Sequence, residues 1–295
     1  MASLLLKVQK KMTIAAHRKV RGALEGEYAS VFKGRSMDFD DLRLYVPSDD
    51  VKDIDWKATA RSGQVLIKRY VAIRKYNIMF VVDTGRSMAA TAPSGETKRD
   101  IAVMIAGVIA SVALKHGDPI ALVAGDSQHI HHLPLKDSRP HAERLLQYID
   151  THTTLEASVS NLTGLLDYVR RTVKRRMMLI IISDSLRFPF EQEQLLRRLE
   201  AQHELLFVAV DDLDPTDSSW KGQEIRDVEL PTILPPYIRS QTLVAQAYGR
   251  FINYEWQTAV RTLDHLRINN VRIKSESEVI AQIVRLLEKQ KHVRH

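Results

Sequence analysis

Two short segments place oxygen-bearing side chains at the ends of apolar runs. Asp83-Thr84-Gly85-Arg86-Ser87-Met88 directly follows NIMFVV, and Ser183-Asp184-Ser185 directly follows MMLIII. Carboxylates and hydroxyls are hard donors of the kind Mg²⁺ takes, and this ion keeps several of its waters. If the two runs are strands of one sheet, Asp83 and Asp184 meet at its edge as candidate ligands. The competing expectation is that both carboxylates cap strand ends, accepting from N–H groups at helix starts.

Other combinations carry less. His129, His131 and His132 alternate as on a strand, but no carboxylate completes a zinc set in that motif. Ser94-Gly95-Glu96-Thr97-Lys98 has part of a phosphate loop and lacks the full G-x-x-x-x-G-K-[ST] pattern. An aspartate-based phosphatase needs an acid two residues after the first, where Gly85 stands. No G-x-S-x-G elbow occurs. The expectation is a protein without enzymatic activity.

The elements that must position these residues follow from periodicity. Apolar runs at 77–83, 120–124, 177–183 and 205–210 read as buried strands. Helical patterns at 101–114, 140–149, 162–173 and 191–203 separate them, with a further strand near 129–133. This alternation predicts a doubly wound, mostly parallel α/β sheet, whose ligands bind beyond the carboxyl ends of its strands. Residues 211–240, with Asp211, Asp212, Asp214, Asp217, Pro215, Pro231, Pro235 and Pro236, interrupt the pattern. A helix near 256–266, a strand at 271–274 and a helix at 278–287 close the chain. The expected division is 1–63 for a basic helix plus a charged module, 64–210 for the α/β domain, and 211–295 for its extension.

Composition narrows the chemistry. The chain has 295 residues, 44% of them hydrophobic, enough to bury a core without staples and too many for a disordered chain. With no cysteine, disulfides, thiolate metal sites and a thiol nucleophile are excluded, and oxygen ligands remain. A cytoplasmic location fits that usage. The longest apolar stretch, 101–114, falls short of the roughly 20 residues a spanning helix needs. The net charge of +7 is concentrated near the ends, in Lys7, Lys10, Lys11, Arg18, Lys19 and Arg21 and again from Lys289 onward. Residues 4–24 read as one basic amphipathic helix that either packs on its own domain or lies on an acidic protein or membrane surface. Nucleic-acid recognition ranks last, since neither a helix-turn-helix nor RNA-motif aromatics appear.

The segment before the sheet is the most specific. Phe39, Leu42, Arg43, Tyr45, Pro47, Asp49, Asp50, Ile54, Asp55, Trp56, Ala60 and Arg61 stand in register with F-x-x-L-R-x-Y-x-P-G-D-D-x-x-x-I-D-W-x-x-x-A-R. That pattern, preceded by FKGRS, resembles the bacterial domain-of-unknown-function family fifty-eight, whose members have a von Willebrand factor A-like domain. Read physically, these charges around Tyr45 and Trp56 form an internal salt-bridge and aromatic lattice, or else a surface suited to a protein partner. The DTGRSM segment is similar to the D-x-S-x-S opening of a metal-ion-dependent adhesion site, with Gly85 in place of the middle serine. The resemblance assigns Asp83, Ser87, a hydroxyl from Ser160 or Thr154, and Asp184 to a degenerate Mg²⁺ site. It further implies an interaction or adaptor protein, chaperone-like, working with an AAA+ ATPase of the MoxR type to assemble or activate protein complexes. The alternative is a Mg²⁺-dependent, phosphoesterase-like hydrolase using Asp83 and Asp184.

Overall fold

The computed structural model describes residues 3–15, 18–31, 38–47, 49–71, 75–184, 188–220, 223–229, 233 and 241–293. FKGRS, Ser185, Pro231, Pro235 and Pro236 lie outside the described residues, as do the side chains of Arg18, Lys19, Arg21 and Phe39. The chain divides into two compact units, Met1–Val31 with Asn77–His295, and Phe32–Tyr76.

The larger unit is built on six strands: β3 (Ile78–Asp83), β4 (Ile120–Gly125), β5 (Ile130–Lys136), β6 (Met178–Ser183), β7 (Glu204–Val210) and β8 (Asn269–Ile273). Their order is β5-β4-β3-β6-β7-β8. All neighbours are parallel except β4 and β5. This is the doubly wound sheet the alternation predicts. Every residue of β3, β4 and β6 is buried, which is why those strands read as unbroken apolar runs instead of alternating ones. The edge strand β5 is largely exposed, with a single buried residue, Leu133. Strand order reverses between β3 and β6, so Asp83 and Asp184 end up at the switch point.

Helices cover both faces. Met79, Val81, Leu179, Ile181 and Phe207 point to one side, against α6 (Leu162–Thr172), α7 (Phe190–Glu200) and the end of α8 (Thr242–His265). On the other side lie α4 (Lys98–His116), α5 (Arg139–His152) and α9 (Val279–Val293). Thirteen residues of α4 are buried, which explains its nearly uniform apolar sequence.

The N-terminal segment forms two helices, α1 (Leu4–Ala15) and α2 (Arg18–Val31), where one was expected. Both belong to the sheet unit. Leu5, Val8 and Met12 of α1 are buried, so its apolar face packs on its own unit. A Cβ on Gly107 of α4 would lie 2.7 Å from Val8 Cγ2, so the glycine permits this close crossing. Glu143 of α5 accepts from the N–H groups of Leu4 (2.8 Å) and Leu5 (3.0 Å), closing the open helix start. On α2, buried Tyr28 donates to Asp118 at 2.7 Å.

The smaller unit pairs β1 (Asp38–Leu44) antiparallel with β2 (Leu66–Val71) around α3 (Trp56–Ser62). The expected boundary at 63/64 therefore moves to 76/77. Strand β2 pairs with β1 across the intervening α3 segment, a pairing between stretches more than twenty residues apart. The expected lattice is also simpler than its charge density suggests. Arg43 holds Asp49 through two hydrogen bonds of 2.7 and 2.5 Å. Asp50 caps a short 3-10 turn, and Asp55 caps α3 by accepting from Lys57 and Ala58. The Arg61 guanidinium donates to the Lys57 carbonyl, and Trp56 is 65% exposed. Among the described residues, no helix is long and apolar enough to cross a membrane.

Candidate functional site

At the carboxyl end of β3 the chain turns sharply and enters a short 3-10 turn, Arg86–Ala89, that carries Ser87. The loop before α6 is tied to this turn from two sides. Arg86 donates from its backbone N–H to Ser158 and from its guanidinium to Ala157, both at 2.9 Å. Asp126, after β4, accepts from the Ser158 N–H at 3.2 Å. Asn161 then caps α6, which leaves Ser160 just outside the helix start and facing Ser87.

Three oxygen donors converge there. Ser87 Oγ and Ser160 Oγ are 2.6 Å apart. Asp83, 1% exposed, accepts from the Gly85 N–H at 2.9 Å and from the Ser160 and Ser183 hydroxyls. With Ser160 donating to Asp83, the contact between the serines runs from the Ser87 hydroxyl to Ser160. Burial pushes the Asp83 carboxyl up, and nearby Asp184 pushes it further, to about 7 despite those hydrogen bonds. Ser160, and not Thr154, is the hydroxyl that meets Ser87.

Gly85 has a structural reason beyond the loss of a ligand. A Cβ there would stand 2.4 Å from Ser160 Oγ and 2.5 Å from Ser160 Cα. The backbone of Ser160 fills the space a serine at 85 would occupy, so no side chain fits at 85 unless the Ser160 loop shifts.

Asp184 is placed differently. Its Oδ2 accepts from Lys98 Nζ at 2.7 Å, and the same ammonium also donates to Asp212. Lys98 is 1% exposed at its side chain, Asp184 11% and Asp212 59%. Burial alone would lower the Lys98 pKa, yet the two carboxylates outweigh it and leave it raised, so the ammonium stays charged. Thr97 fixes the lysine's origin by capping α4, and the Lys98 N–H bonds to the Ala90 carbonyl at 2.9 Å.

These groups form the floor of a cleft of about 1240 Å³. Its walls include Leu213, Pro215 and Trp220 from the segment after β7 and Tyr248, Phe251 and Ile252 from α8. Burial and Asp212 push the Tyr248 phenol up to about 12, so it remains a neutral donor.

Asp83, Ser87 and Ser160 suit a hydrated Mg²⁺. Two hydroxyls at 2.6 Å approach the roughly 3 Å edge of an octahedron with bonds near 2.1 Å, and the open cleft leaves room for water. Asp184 fits that shell poorly, since Lys98 holds it. No cluster of three or more His, Asp or Glu is placed to hold a metal among the described residues. The three histidines lie elsewhere: His131 stacks on Tyr148 at 4.2 Å, and His132 meets Tyr168 edge-on at 6.0 Å. Sequence reasoning missed Lys98 and Asp212. The signal for Lys98 was a lysine directly ahead of a long apolar helix, inside a segment that resembles a phosphate loop.

Comparison with known proteins places the chain. The profile of the family described as protein of unknown function DUF58 matches residues 41–228. Uncharacterised proteins of Mycobacterium tuberculosis and Mycobacterium bovis are 31% identical over 223 residues, 75% of this chain and 66% of theirs. The chain thus spans just under two thirds of those relatives. Among solved structures, an aerotolerance-related membrane protein from Bacteroides fragilis aligns over 72% of this chain and 99% of its own, at 11% identity and a TM-score of 0.45. A von Willebrand factor type A protein from Catenulispora acidiphila aligns over 77% of this chain and 44% of its own, at 10% identity and a TM-score of 0.43. With the profile spanning more than half of its residues, the chain belongs to the family of proteins of unknown function DUF58.

Proposed function

We propose that this chain is a protein-interaction module whose contact site is the cleft floor at the β3–β6 switch point. The observation that carries this reading is the convergence of Asp83, Ser87 and Ser160 beneath an open cleft whose walls include Leu213, Trp220 and Phe251. Such a floor orients a polar group of a partner while the walls desolvate it. Mg²⁺, when bound, would supply the positive charge that draws an acidic partner side chain. Asp83, Ser87 and Ser160 would hold the ion directly, and Asp184 would act through water. The partner we propose is an AAA+ ATPase of the MoxR type in the cytoplasm, with the chain as an adaptor in assembling or activating other complexes. The resemblance of the 39–61 motif supports that choice.

Immobilised wild-type protein and the variants Asp83→Ala and Ser160→Ala, each probed with the purified MoxR-type ATPase of the same genome, test the reading. Retention by wild type and loss in both variants is expected. Equal retention by all three would move the contact away from this site.

One observation favours a second reading, a Mg²⁺-dependent hydrolase. A carboxyl at about 7 lies in the range of a general base at neutral pH. Turnover of generic phosphoesters, abolished by Asp83→Asn, would establish it. Against it, Lys98 engages Asp184, the second acid that chemistry would use.

A further inference from the structure

We infer that the Lys98 ammonium is the resident counter-charge of Asp184 and Asp212, and that it holds Asp184 back from any cation bound at Asp83, Ser87 and Ser160. The inference rests on the cation reading proposed above and adds to it the residue that sets the site's affinity.

A nearly buried ion pair of this kind persists only where each charge has a partner. Removing one member leaves the other desolvated and uncompensated. The Lys98 side chain is 1% exposed and has two carboxylate acceptors, Asp184 at 2.7 Å and the more exposed Asp212. Its backbone is fixed by the helix cap at Thr97 and by the bond to Ala90, so the ammonium is delivered to one place. Asp184 lies close enough to act on Asp83 electrostatically, yet its oxygen faces the lysine.

Charge balance gives the functional consequence. Asp83, Asp184 and Asp212 alone would present three negative charges to a divalent cation and bind it tightly, leaving the floor with one negative charge in excess. Lys98 cancels one of them and repels the incoming ion. The floor then reaches neutrality with the cation bound, and an added carboxylate from a partner no longer meets a net negative site. Lys98 therefore trades cation affinity for acceptance of an acidic ligand. It is a positioning residue, acting through Asp184.

Mn²⁺ titration of the full chain, followed by electron paramagnetic resonance, tests this on wild type, Lys98→Met and Lys98→Met/Asp184→Asn. Freeing Asp184 should tighten Mn²⁺ binding by about tenfold, the scale on which outer-shell groups tune metal sites. Removing Asp184 as well should return it to the wild-type value. Lys98→Gln keeps an N–H donor for Asp184 and replaces the methionine variant if that one does not fold; its binding should tighten in the same direction. A folded Lys98 variant that binds Mn²⁺ no more tightly than wild type overturns the inference. Binding that survives Asp83→Ala would instead overturn the cation reading, so the two failures are distinct.

Discussion

The charges of the Phe32–Tyr76 unit and those at the sheet switch point are the same residue types under opposite conditions. In the smaller unit they are exposed and local. Arg43 pairs with Asp49 six residues away and keeps that carboxyl below its usual range, while Asp50 and Asp55 cap turns in their own neighbourhood. At the switch point they are brought together from afar, Asp83 from the end of β3, Lys98 from α4, Asp184 just after β6 and Asp212 two residues after β7, and all but Asp212 are largely buried. Water screens the first set, so each member acts nearly alone. Burial couples the second set, so each member's state depends on the others. Density of charge in the sequence marks the smaller unit, yet isolated charges at the ends of apolar runs mark the place where chemistry is concentrated.

The largest effect separating the two regions should come from Asp83. Its folded pKa of about 7 lies above the ordinary value of 3.8, so the neutral form is favoured in the folded state. The stability this contributes is fully present below about pH 4 and is lost as pH rises through 7. At about 1.4 kcal/mol per unit, the wild type should lose roughly 4 kcal/mol across that window in chelator. Asp83→Asn should remove this dependence, standing above wild type in urea unfolding at pH 8 and near it at pH 4. Parallel pH profiles would show that Asp83 is not coupled as described.

A smaller loss is expected at Gly85. Gly85→Ser formally restores an adhesion-site serine, yet its Cβ must displace the Ser160 backbone. Overpacking of this kind costs about 1–3 kcal/mol, to be read as a fall in the urea midpoint. An unchanged or raised midpoint would mean that the 157–160 loop yields freely.

The smallest effect belongs to the other unit. Asp55→Ala removes the α3 cap and should cost about 1 kcal/mol, with no change in the pH profile that Asp83 governs. Hydrogen exchange should locate the loosening at Thr59 and Gly63, whose N–H groups bond within that helix turn. Protection lost at the switch point instead would break the contrast between local and coupled charges.

Much of this arrangement was legible because burial leaves a strong imprint. Strands β3 and β6 announce themselves as apolar runs ending in Asp83 and Ser183-Asp184, and a parallel sheet brings such ends together. Ser160 was legible through the resemblance and its spacing to Asp184. What escaped depends on reach across the fold. Lys98 is one lysine before an apolar helix, and nothing local says that its ammonium ends between acids 86 and 114 residues away. Gly85 reads as a missing ligand until the Ser160 backbone is seen against it. The two-stranded pairing of 66–71 with 38–44 is likewise non-local.

The central claim, that Asp83 anchors a cation-dependent contact site at the switch point, is tested most directly by Mn²⁺ titration of wild type and Asp83→Ala between pH 6 and 8. One site is expected in wild type, tightening by about tenfold per pH unit below 7 as the carboxyl proton is displaced, and absent from a folded Asp83→Ala. Binding equal in both proteins, or none in wild type at millimolar Mn²⁺, would contradict it.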